Sequence, residues 1–200
     1  MAQGSHAADP AAVVVPVKAF SRAKARLAEV RSPEERAALA RSMATTVVRA
    51  AGTLPVVVVC DDDEVRTWAE GLGVEVLWTP GLGLNGAVAA GLDHLAARGV
   101  ARAIVAHADL PLATDLGWLA GEGVRIVPDR HGDGTNVISL PTGAGFEFAY
   151  GAASCAAHVA EADRLGLAVE VVPDDRLGWD VDRPDDLELP TFDEESSPCR

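Results

Sequence analysis

The chain has 200 residues, 48% of them hydrophobic but only 4% aromatic, and a formal net charge of -13. That length suits one domain with a core of Ala, Val and Leu, and the negative balance argues against a nucleic-acid partner, whose backbone needs a basic footprint. A nucleotide remains compatible with it, because a few placed cations and a metal hold three phosphates inside an acidic protein.

Residues 1–12 are small and polar and are expected to be disordered. A buried strand is expected over 13–17. Ser32-Pro-Glu-Glu35 then opens a helix, with Ser32 as N-cap, Pro33 in the first position and Glu35 closing a capping box; Gly52 stops it. A second strand follows over 55–59. The acidic run 61–64 favours a helix N-terminus, and Gly71 and Gly73 end that helix. Residues 74–78 form a third strand, 85–98 a helix stopped by Gly99, and 103–106 a fourth strand. This alternation implies a mostly parallel sheet covered by helices on both faces. Strands at 124–127 and 137–140 then flank a loop, followed by a helix over 152–165 and a strand over 168–172. The acidic tail 188–200 is expected to be disordered, leaving 13–187 as a single α/β domain. In such sheets ligands sit at the carboxyl ends of the strands, so the loops after Val17, Trp78 and Ala106 should converge.

Four cations, Lys18, Arg22, Lys24 and Arg26, follow the first strand. At a sheet mouth they would hold a triphosphate and stabilise charge on an attacked phosphorus; a solvated basic loop is the plainer reading. Gly81-Leu-Gly-Leu-Asn-Gly86 opens a helix, where Asn85 either contacts a base or caps the helix. It follows the third strand, not the first, which disfavours a dinucleotide site. Asp109 ends the fourth strand, while Asp180 and Asp182, spaced i, i+2, share one face of an extended segment. Each also reads as an ordinary turn residue, but together with the basic loop they match a Mg²⁺ clamp for nucleotidyl transfer. Near the second half's loop, Thr135 and Ser154 offer hydroxyls and a helix start for a small anion, or else a hairpin followed by a capped helix. His107 and His158 are open between packing and substrate contact. Trp68, Trp78, Trp118 and Trp179 read as core or edge packing. No apolar run approaches the ~20 residues of a membrane span. Residues 1–6 lack the regions of a signal peptide. The three cysteines, Cys60, Cys155 and Cys199, lack metal-ligand spacing. A cytoplasmic protein with reduced thiols is therefore expected.

Pro16-Val-Lys18, Ala23-Lys-Ala-Arg-Leu27, Gly83-Leu-Asn85, His107-Ala-Asp-Leu-Pro111, Pro128-Asp-Arg130 with Gly134-Thr-Asn136, Phe148-x-Tyr-Gly151-x-x-Ser154-x-x-x-His158, and Asp180-Val-Asp-x-Pro184-x-Asp186 occur in that order. The set resembles the 2-phospho-L-lactate guanylyltransferase family, which includes the phosphoenolpyruvate guanylyltransferases of deazaflavin coenzyme F-420 biosynthesis. The resemblance implies a nucleotidyltransferase-like three-layer fold and an enzyme joining GTP to a three-carbon phosphoacid. It also implies roles: Lys18, Lys24 and Arg26 at the GTP phosphates, Asn85 in the nucleotide pocket, and Asp109, Asp180 and Asp182 on Mg²⁺. Lys18, Lys24, Arg26 and Asp109 would carry the catalysis, and Thr135, Gly151 and Ser154 would bind the acid. Ala153 departs from the pattern, since many members carry glycine there. Which acid is used and whether the enzyme is a homodimer stay open. Alternatives are a nucleotidyltransferase of molybdopterin or sugar-phosphate type, disfavoured by the lack of a glycine-rich loop after the first strand, and a non-catalytic nucleotide-binding module.

Overall fold

A computed structural model describes residues 11–192. Seven strands form one sheet in the order β3-β2-β1-β4-β6-β5-β7. They are β1 (Ala11–Pro16), β2 (Val56–Cys60), β3 (Glu75–Trp78), β4 (Arg102–Ala106), β5 (Val124–Pro128), β6 (Thr135–Pro141) and β7 (Val169–Val171). All pairings are parallel except those of β6, which runs against β4 and β5. β1, β2 and β4 are continuous Val/Ala/Ile runs because both faces of a central parallel strand are covered.

Helices α1 (Pro33–Ala50) and α2 (Asp63–Gly71) cover one face, packing Ala44, Val47 and Val65 on Val13, Val58 and Ile104. Helices α3 (Gly83–Ala97) and α4 (Ser154–Arg164) cover the other, packing Val88, Leu92 and Ala162 among Val14, Val105 and Ile138. The capping box expected at Ser32 and Glu35 is present. On α2 the cap is Asp62, whose carboxylate accepts from the Glu64 and Val65 amides. Gly91 lets α3 lie close on the sheet: a Cβ there would sit 2.8 Å from Val14 Cγ1 and 3.1 Å from Val59 Cγ1.

Several boundaries differ from those read in the sequence. β1 begins at Ala11, so Ala11 and Ala12 are buried strand residues and not part of a loose terminus; residues 1–10 and 193–200 lie outside the described part, and with them most of the two segments expected to be disordered. Phe192, within the expected tail, carries the Arg176 guanidinium 4.5 Å from its ring centroid. β6 starts at Thr135, two residues early, because Asp129 closes a tight hairpin loop by accepting from the His131, Asp133 and Gly134 amides. Helix α4 starts at Ser154, after Ala153 in a left-handed conformation (φ 56).

His158 on α4 is fully buried and satisfied. Its Nε2 accepts from the Ala149 amide at 3.0 Å, which puts the proton of the neutral ring on Nδ1, donating to Thr135 Oγ1 at 3.0 Å. Of the two readings open for this histidine, the packing one therefore describes it. Burial depresses its pKa to about 4.

Two predictions follow from this packing. Gly91→Val should destabilise the fold by about 1–3 kcal/mol, read from the urea midpoint, because the new methyls have no space between α3 and β1. For His158, the folded state resists the proton that the unfolded chain accepts near pH 6.5. Stability should therefore fall as pH drops from about 6.5 towards 4, by about 2–3 kcal/mol from this group. His158→Gln, measured by denaturant titration, should be less stable at pH 7 and show a flatter slope across that range.

Candidate active site

The carboxyl ends of β1 and β4 open on a short chain segment that never becomes a regular helix. After β1 the chain makes two 3-10 turns, Phe20–Arg22 and Ala25–Leu27, joined by Lys24 in a left-handed conformation (φ 54). Leu27, fully buried, joins Met43 of α1 and Val181 in a small apolar cluster. Val181 lies between Asp180 and Asp182 in an extended segment, so its inward side chain turns the two flanking carboxylates the other way. Its amide donates to the Asp109 carbonyl at 3.2 Å, tying that segment to the turn after β4.

Here the three distant acids meet. One carboxylate oxygen from each of Asp109, Asp180 and Asp182 lies within 4.8 Å of the others. Lys24 Nζ donates to Asp109 Oδ2 at 2.6 Å and Asp182 Oδ1 at 3.2 Å, and Arg26 Nη1 donates to Asp182 Oδ2 at 2.9 Å. Burial would raise the Asp109 carboxyl, but the Lys24 ammonium beside it holds it below its ordinary value. For Lys24, burial works downward and the Asp109 and Asp182 carboxylates prevail, raising it. Asp180 is raised, by burial first and then by Asp109 and Asp182. One cation among three acids leaves the cluster short of positive charge. Asp109 Oδ1 is buried and without a hydrogen-bond partner, an open ligand position in an all-oxygen set. These donors fit a hard divalent cation such as Mg²⁺.

The other expected site residues surround this cluster without joining it. Lys18 is exposed and makes no ion pair among the described residues. Asn85 does not cap α3: the helix begins at Gly83 with Leu82 as N-cap, and Asn85 Oδ1 accepts from the Tyr150 amide at 2.9 Å. Thr135 is buried; because it accepts from His158, its own hydroxyl proton is directed elsewhere. Gly151 (φ 136) is exposed, and Ser154 is buried at the first turn of α4. β6 brings Thr135 and Asn136 to this edge because it runs against its neighbours, and the Asn136 carbonyl accepts from the His107 amide at 2.9 Å.

Two supporting residues carried no role in the sequence reading. Asp186, 3% exposed, accepts from the Asp182 and Arg183 amides at 2.7 Å each and from Arg130, so it sets where Asp182 points. Asn136 Nδ2 donates to the Leu177 carbonyl at 3.0 Å and to Asp180 Oδ1 at 3.4 Å. The signal for Asp186 is an acid three residues after the start of a one-turn helix; with Arg183 in the cap position instead of Ser or Thr, no capping box is legible. Among the tryptophans, Trp68 stacks edge-on against Phe20 at 5.3 Å, and Trp179 donates to the Asp186 carbonyl under the Arg130 guanidinium. Trp78 and Trp118 are more exposed, as edge residues. No helix among the described residues is long and apolar enough to cross a membrane.

A solved structure from Desulfovibrio desulfuricans G20, assigned as a nucleotide-diphospho-sugar transferase, shares the fold at a TM-score of 0.70 and 20% identity, covering 90% of this chain and 85% of that one. The phosphoenolpyruvate guanylyltransferase of Sphaerobacter thermophilus is 36% identical over 185 residues, 88% of this chain and 89% of that protein. The 2-phospho-L-lactate guanylyltransferase of Methanothermobacter thermautotrophicus is 32% identical over 87% of this chain and 81% of its own length. The model of the family described as "Guanylyl transferase CofC like" matches residues 11–192, the same stretch that builds the sheet and carries all three acids. With that match along the whole described chain, this protein belongs to the CofC-like guanylyl transferase family.

Proposed function

We propose that the protein transfers the guanylyl group of GTP to the phosphate of a three-carbon phosphoacid, phosphoenolpyruvate or 2-phospho-L-lactate, as a cytoplasmic step of coenzyme F-420 biosynthesis. An oxygen of the acid's phosphate attacks the α-phosphorus of GTP. The bond to the β-phosphate oxygen breaks, pyrophosphate leaves, and a diphosphate-linked guanosine acid remains. The attacking oxygen is already anionic, so the reaction asks the protein for alignment and charge compensation more than for a base.

The observation that carries this reading is the convergence of Asp109, Asp180 and Asp182 with Lys24 and Arg26 at the carboxyl edge of the sheet. Asp109, Asp180 and Asp182 would hold Mg²⁺, which when bound supplies charge neutralisation at the phosphates. Lys24 and Arg26 turn from the acids toward the triphosphate, and exposed Lys18 adds a third cation. Asn85 sits at the start of α3, on the nucleotide side, where backbone amides face an anion. Thr135, Gly151 and Ser154 line the acid's side; the Thr135 proton, free of His158, points there as a donor.

Asp109→Asn keeps the shape of the side chain and removes its charge. It should cut pyrophosphate release at saturating Mg²⁺ by at least about a hundredfold while the circular dichroism spectrum stays native; near-normal turnover would overturn the metal assignment. Chelation should stop wild-type pyrophosphate release and added Mg²⁺ restore it. A screen of GTP and ATP against phosphoenolpyruvate, both 2-phospholactate enantiomers and 3-phosphoglycerate tests the substrates directly, and no release with GTP and any of these acids would reject the reading.

A further inference from the structure

Beside the acid cluster, the structure leaves two more polar atoms buried with no hydrogen-bond partner, His107 Nε2 and Tyr150 Oη. An orphaned buried polar group is costly, and native proteins pair nearly all of them. The two rings lie against each other at 4.9 Å between centroids, with His158 beneath Tyr150 at 4.8 Å and Phe148 stacked at 5.8 Å. His107 stands two residues before Asp109, within electrostatic reach of Asp109, Lys24, Asp182 and Lys18. Burial keeps the Tyr150 phenol protonated, hence a donor.

The backbone around Tyr150 is anchored on both sides, by Asn85 through the Tyr150 amide and by His158 through the Ala149 amide. Beyond it, Gly151 and Ala153 both take positive φ, and residues 151–153 are exposed. Strained backbone of this kind is found where a segment serves a ligand. The orphaned atoms face inward under an outer strip of chain that a ligand displaces on entry.

We propose that the Tyr150 hydroxyl and the His107 imidazole form a two-donor clamp for the carboxylate of the three-carbon acid. The inference rests on the guanylyl-transfer reading above. In that reaction the acid's phosphate lies at the acid cluster, which leaves the carboxylate for the adjoining wall. A carboxylate oxygen completes both orphaned groups at once.

Tyr150→Phe removes one oxygen and keeps the ring packing. Titration calorimetry with phosphoenolpyruvate and with 2-phospho-L-lactate, on the Mg²⁺-loaded protein, measures the affinity without requiring turnover. The clamp predicts an affinity for the acid weakened about 10- to 100-fold, GTP affinity within twofold of wild type, and a Tm equal to or above wild type, because an unpaired buried hydroxyl is gone. His107→Gln, which keeps a side-chain donor, should weaken the acid less than His107→Ala. Unchanged acid affinity in Tyr150→Phe, or a loss confined to GTP, overturns the clamp. Wild-type binding of the acid without pyrophosphate release overturns the transfer reading alone, and no wild-type binding of either acid overturns both.

Discussion

Three carboxylates held within 4.8 Å of one another repel by about 3–4 kcal/mol per pair at a typical protein effective dielectric. The carboxyl edge of this sheet can therefore hold Asp109, Asp180 and Asp182 together only if positive charge is built in. Lys24 supplies it, bridging Asp109 and Asp182 from a side chain only 8% exposed. Much else in this part of the molecule serves that junction. Leu27 and Val181 meet in one apolar cluster, so the basic loop and the acid segment are drawn to the same place by packing. Asp186 fixes the amides of Asp182 and Arg183. Gly178 permits the approach of the C-terminal segment to the β5–β6 loop, where a Cβ would meet the Asp174 carbonyl at 2.7 Å.

The irregular features of the protein gather around this junction. Both non-glycine residues with positive φ among the described residues, Lys24 and Ala153, border it. Three of the four buried unpaired polar atoms, on Asp109, His107 and Tyr150, lie beside it. The sheet and its covering helices obey local rules throughout, with capped helix starts, continuous apolar central strands and α3 seated through Gly91. Strain and unsatisfied polarity are tolerated in one region because the surrounding layers hold it in place, and they are what a substrate and a cation relieve.

Local signals were legible wherever a short-range cause acts. All seven strands and four helices were readable, since apolar runs, Ser32-Pro-Glu-Glu35 and the acidic start of α2 act over a few residues. The acid pair and the basic loop were readable as candidates because charged residues clustered after strands are uncommon. Asn85 illustrates the limit. Position and residue type suggested a cap or a base contact, while the structure has it holding the Tyr150 amide, 65 residues away. His158 is similar: helical spacing placed it beside Ser154, but its partners, Thr135 and Ala149, come from other segments.

What the sequence by itself determined is the inventory: which segments are strands and helices, that the sheet is mostly parallel, and which acids and cations are available. Only the tertiary structure decided which of these meet. The reversal of β6 delivers Thr135 and Asn136 to the edge where β1 and β4 end. Lys24 rather than Lys18 is the cation that enters the acid cluster. The reason is physical: strand and helix formation depend on neighbours within a few residues, whereas an ion pair spanning 158 residues depends on sheet order and on an apolar cluster that no local pattern encodes.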